Sequence, residues 1–150
     1  MKFAEFSAGQ VIHCGPASLS QREILAFARE YDPQWFHTDP QRAAAGTWQG
    51  LIASGWQTCG VAMRLVCDEI LAGSESFASP GLAYLKWENP VRPDDVLRVR
   101  LDVLEVRVAR SKPTLGILRW RWRMFNQHEQ VVLDLEATSL FDLPPANTRP

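Results

Sequence analysis

Between residues 97 and 137 the sequence writes the same pattern three times. Leu97, Val99, Leu101 and Val103 alternate with Arg98, Arg100 and Asp102. Leu118, Trp120, Trp122 and Met124 alternate with Arg119, Arg121 and Arg123. After a turn signal at Asn126-Gln127-His128-Glu129, the residues Val131, Leu133, Leu135 and Ala137 alternate again. Successive side chains of a strand point to opposite faces, so each stretch predicts a strand with one oily and one polar side. Together they predict an antiparallel meander whose oily face must be covered. In the first strand the apolar phase flips after Val103 to Leu104, Val106 and Val108, which is what a one-residue β-bulge produces.

The cover is also written in the sequence. "LIASGWQTCGVAMRLVCDEILAG", residues 51–73, reads as the longest helix, with Ser54 as N-cap and Gly73 as the C-terminal stop. Trp56, Cys59, Met63, Val66, Cys67 and Ile70 recur at helical spacing, and Val61, Ala62 and Leu65 widen the apolar face. A helix this apolar needs wrapping. Two further strand candidates, "GQVIHCGPASL" (9–19) and "GLAYLKWENPV" (81–91), bring the sheet to about five strands. The expected fold is α+β: an antiparallel sheet curled around one long central helix, the hot-dog architecture. The chain reads as a single domain over residues 1–150, with a proline-rich tail from about 143 expected to be mobile.

An amphipathic helix is expected from Ser20, because Ser20 and Glu23 form a capping box and Ile24, Leu25, Phe27 and Ala28 keep helical spacing. Pro33 ends it. Asp39-Pro40 restarts a short helix, with Asp39 as N-cap. Between these lies "YDPQWFHTDP", which places Asp32 and His37 within one turn. Asp32 stands at a helix C-terminus, where the dipole disfavours a carboxylate. The pair is either a structural hydrogen bond closing a turn or a working acid–base pair.

Composition excludes several classes. A net charge of −1 over 150 residues offers no broad surface for nucleic acid or membrane. Cys14, Cys59 and Cys67 form no CxxC motif, and the three histidines are scattered, so no metal site is suggested. The cysteines read as small apolar residues of a reduced, cytoplasmic protein. The arginines at 98, 100, 119, 121 and 123 read as a solvated sheet face, or in part as contacts to phosphate.

Three segments in order resemble one family. "YDPQWFHTD", "GLIASGWQT" and "LKWENPVRPDDVLRV" are similar to the MaoC-like dehydratase and (R)-specific enoyl-CoA hydratase branch of the hot-dog superfamily. Asp32, His37 and Asp39 fall on the acids and histidine of its D-x-N-P-x-H-x-D motif. Ile52-Ala53-Ser54-Gly55-Trp56 falls on I-A-H-G-M, and Pro90-Val91-Arg92-Pro93-Asp94-Asp95 on P-V-x-P-G-D. The departures are Gln34 and Trp35 for Asn and Pro, Ser54 for His, and Asp94 for Gly.

The resemblance implies hydration or dehydration of a 2-enoyl or 3-hydroxyacyl thioester of coenzyme A. In that reading Asp32 and His37 activate a water, and the Gly55 N–H polarises the thioester carbonyl. Gln34, Trp35, Phe36, Ser54 and Trp56 are the expected substrate neighbours. No cofactor is implied beyond the coenzyme A of the substrate. The expected partner is a second copy, since pairing edges of two sheets removes an exposed strand edge. The alternatives are a hot-dog acyl-CoA thioesterase and a non-catalytic acyl-CoA binding subunit. The first is disfavoured because the earliest acids on the central helix, Asp68 and Glu69, sit near its far end.

Overall fold

The three alternating stretches form strands, and two flanking strands complete one sheet. The computed structural model describes residues 1–145. Its strands are β1 (Val11–Ser18), β2 (Ser76–Lys86), β3 (Val96–Ala109), β4 (Lys112–Phe125) and β5 (Val131–Asp142). They lie in the order β1-β3-β4-β5-β2, with every pair antiparallel. The helices are α1 (Gln21–Tyr31), α2 (Trp35–Thr38), α3 (Pro40–Ala45) and α4 (Gly55–Val66). This is the hot-dog fold.

Local signals are realised closely. The Ser20 hydroxyl accepts from the Glu23 N–H at 3.3 Å, and the Glu23 carboxylate accepts from the Ser20 N–H at 2.8 Å. The bulge falls where the pattern flips: Val103 pairs with Trp120 and Glu105 with Arg119, leaving Leu104 unpaired. Asp94, where the resembling motif carries Gly, has φ +65°, a left-handed conformation that Asp tolerates better than most residues.

The inward residues Leu97, Val99, Leu101, Leu118, Trp120, Met124 and Leu133 are fully buried, and Ala62, Val66 and Ile70 of the central helical segment join the same core. Each large apolar side chain removed from water contributes about 1.5–3 kcal/mol. On the outer face the arginines are mostly paired. Arg100 and Arg123 flank Asp102 at 2.8 and 2.7 Å. Arg121 grips both oxygens of Asp134 at 2.9 and 2.6 Å. These residues form an ion-pair mosaic across this face in place of free cations.

Three expectations need correction. The central helix is α-helical only to Val66 and continues as a π-helical turn over Cys67–Leu71, before Gly73 at φ +68° ends the segment. Its buried stripe is Thr58, Ala62, Val66 and Ile70, while Trp56 and Met63 are 63% and 43% exposed. The small Ala62 lets the helix sit close to the sheet, and the larger side chains are turned to its flank. β2 begins at Ser76, five residues before Gly81, because an edge strand open on both faces carries no alternation to announce it. The tail expected from 143 lies outside the described residues from 146 on. Leu143 itself is buried, and its N–H donates to the Thr114 carbonyl at 2.8 Å. Among the described residues, no helix is long and apolar enough to cross a membrane.

Candidate functional site

The site is built by short segments packed against the start of α4. Pro33 stops α1, and Gln34 then starts a single helical turn, α2, that the sequence pattern did not announce. That turn puts His37 inward, 5% exposed. The loop joining α3 to α4 holds it there. The His37 Nδ1–H donates to the Ile52 carbonyl at 2.8 Å, and the Ile52 N–H donates to the Phe36 carbonyl at 3.4 Å. The next residue ties the loop to the β2–β3 connection, since the Ala53 N–H donates to the Val91 carbonyl at 2.8 Å.

With Nδ1 donating to Ile52, the imidazole turns its Nε2 toward Asp32, whose Oδ2 lies 3.4 Å away. Asp32 is tethered from both sides. Its Oδ1 accepts from the Gln34 amide at 2.7 Å, and its Oδ2 accepts from the Ser54 hydroxyl at 2.7 Å. Partial burial acts to raise the Asp32 pKa. The hydrogen bonds from Gln34 and Ser54 outweigh it and hold the carboxyl below its ordinary value. The group is a carboxylate at neutral pH. When Nε2 carries no proton, it and the carboxylate are two facing acceptors, and a donor such as water completes them.

The two departures from the family pattern nearest Asp32 are thus the residues that hold it. Ser54 does so while capping α4, as its hydroxyl also accepts from the Trp56 N–H at 3.3 Å. Gly55 is the first residue of α4, and the first-turn N–H groups of a helix have no intrahelical acceptor. The Trp87 indole lies flat against it: a Cβ at Gly55 would fall 2.4 Å from Trp87 Cε2.

His37 and Gly55 line a cavity of about 260 Å³ together with Trp48, Thr58, Trp87 and Val91. Trp56 is elsewhere, on an apolar groove of about 510 Å³ along the other side of α4. Trp35 is not among the cavity-lining residues. Its ring lies on Gly46, where a Cβ would fall 2.7 Å from Cη2, and Arg42 stacks over it at 4.6 Å. Phe36 meets the His37 ring edge-on at 4.3 Å. Asp39 caps α3 by accepting from the Gln41 and Arg42 N–H groups. Sequence reasoning missed Trp48 and Trp87. The only signal for Trp87 was its place three residues before Pro90 in the third resembling segment.

Known proteins share this fold. Residues 5–118 match the family model described as a MaoC like domain. A curated relative, the uncharacterized protein YdeM of Bacillus subtilis (strain 168), is 35% identical over 140 residues, covering 93% of this chain and 98% of its own. The crystal structure of a MaoC-like dehydratase from Rhodospirillum rubrum superposes with a TM-score of 0.86 at 32% identity, covering 95% of this chain and 97% of that one. The (R)-hydratase PhaJ1 from Pseudomonas aeruginosa superposes with a TM-score of 0.71 at 25% identity, covering 99% and 93%. The hot-dog sheet, the relative at 35% identity and the family match over residues 5–118 make the chain a member of the MaoC-like domain family.

Proposed function

We propose that the protein is a hydratase or dehydratase acting on 2-enoyl or 3-hydroxyacyl thioesters of coenzyme A. The observation that carries this is the pair of facing acceptors, Asp32 Oδ2 and His37 Nε2, beside the first turn of α4. A water donating to both is held with its lone pairs free. As its oxygen bonds to the β-carbon, one of the pair takes its proton, and a proton is delivered to the α-carbon. The Gly55 N–H, at the positive end of α4, stabilises the enolate oxygen that develops between these events. Loss of the ultraviolet band of crotonyl-CoA on addition of the protein tests this reading, and persistence of that band with every enoyl-CoA tried rejects it.

Hydrolysis is the weaker reading. Glu69 accepts from the Gly15 N–H at 2.8 Å and Asp68 is paired with Arg64, so the acids of this helical segment are engaged elsewhere.

Asp32 must be ionised for this chemistry, and its carboxyl is held below its ordinary value, so Asp32 itself stays ionised into mild acid. Ser54→Ala removes one of the donors. The Asp32 pKa then rises, and the acidic limb of kcat/KM should move to higher pH. The same substitution removes the N-cap of α4 and should cost about 1 kcal/mol of stability by denaturant unfolding. An unmoved acidic limb would mean that Asp32 is not the group that titrates.

The working form is a homodimer. β2 is an edge strand, with Phe77 and Leu82 58% and 48% exposed. Edge-to-edge pairing of two β2 strands satisfies the free backbone groups and covers these side chains. Light scattering at micromolar concentration should give twice the chain mass, and the chain mass itself would contradict the assembly.

A further inference from the structure

We infer that Trp87 is a specificity-determining wall that confines the acyl chain to the cavity beside His37 and shuts it out of the apolar groove. The inference rests on the thioester reading above. The first two turns of α4 separate two spaces. Gly55 and Thr58 face the smaller cavity with His37, while Trp56, Cys59 and Met63 face the larger groove. The Trp87 side chain lies where the two meet. Its indole covers Gly55 and reaches toward the Cys59 side chain, which lies on the groove side. The Trp56 ring braces it edge-to-face, with centroids 5.4 Å apart at 80°. Gly55 is what permits this, because any Cβ there would displace the ring.

The groove behind the wall suits an alkyl chain. Leu71, Leu82, Leu85 and Leu135 line it, with Trp122 among the remaining residues. It is about twice the volume of the cavity, some 510 against 260 Å³. Trp87 is the first residue after β2 and is 45% exposed, so its ring can be removed without opening the core. With the wall in place, the acyl chain from the carbonyl at Gly55 has only the small cavity. Without it, the chain continues along α4 into the groove.

The test compares Trp87→Ala with the wild-type protein on crotonyl-CoA and 2-octenoyl-CoA. Each methylene moved from water into the groove improves affinity roughly fourfold. The ratio of kcat/KM for octenoyl over crotonyl should therefore rise about tenfold or more. Trp56→Ala, which removes only the brace at an exposed position, should move the ratio the same way by less. It also serves if Trp87→Ala does not fold. Calorimetric binding of octanoyl-CoA and butyryl-CoA, which cannot be hydrated, reads the wall independently of catalysis. A shifted binding ratio without any turnover would sink the hydratase reading and keep the wall. Ratios unchanged within twofold in a folded variant, as when a second copy fills the groove, overturn the wall. So does failure of wild type and variants alike to bind either thioester.

Discussion

His37→Ala should lower kcat for enoyl-CoA hydration by about a thousandfold, within the range that a positioned acid–base group supplies. Asp32→Asn should cost a similar factor, since the amide presents a donor where the imidazole expects a shared water. The double variant should be little worse than either alone. Two groups that hold one water act as a unit, and removing the second partner takes away what is already lost. The measurement is steady-state kinetics on crotonyl-CoA for all four proteins. Multiplicative losses would show two independent contributions and would break the shared-water account. His37→Ala also leaves the Ile52 carbonyl without its donor inside a buried loop, so about 1–3 kcal/mol of stability should go with it. Kinetics are to be read at a temperature where the variant stays folded.

Gly55→Ala should be the next most damaging change after the Asp32 and His37 variants. The new methyl cannot coexist with the Trp87 ring as it lies, so the indole must move, at a stability cost of about 1–3 kcal/mol. The methyl also obstructs the approach of a carbonyl to the Gly55 N–H. Losing one oxyanion donor costs about a hundredfold or more in kcat. The two effects separate in the double variant Gly55→Ala with Trp87→Ala. Stability should largely return, because the clash is gone. The rate should stay low, because the methyl remains. If the rate returns with the stability, Gly55 serves packing alone.

Much of this was legible in the sequence because it is local. The Ser20–Glu23 box, the Asp39 cap, the bulge at Leu104 and the Asn126–Glu129 turn each depend on residues a few positions apart. The Asp32–His37 pair belongs with them: a five-residue step across one broken helix end brings the two together whatever the sheet does. The relation of Gln34 and Ser54 to Asp32 was not legible. As departures from a motif they were read as substrate neighbours, and only the folded chain brings Ser54 across from α4 to hold the same carboxylate as Gln34. Trp48 and Trp87 were missed for the same reason. One comes from the α3–α4 loop and the other from the end of an edge strand, and neither position carries a periodic signal. The exposed side of α4 was misjudged because periodicity reports an apolar face, not which part of it the sheet covers. Trp56 and Met63 repeat at the core spacing and line a groove instead.

The central claim is that Asp32 and His37 add water across the double bond of an enoyl thioester. It is tested most directly by incubating the protein with crotonyl-CoA in ¹⁸O-labelled water and reading the product by mass spectrometry. The account predicts 3-hydroxybutyryl-CoA with one label on the new hydroxyl, formed by the wild-type protein and lost with His37→Ala. Label appearing in a free carboxylate with release of coenzyme A, or labelled 3-hydroxybutyryl-CoA formed equally well by His37→Ala, would contradict it.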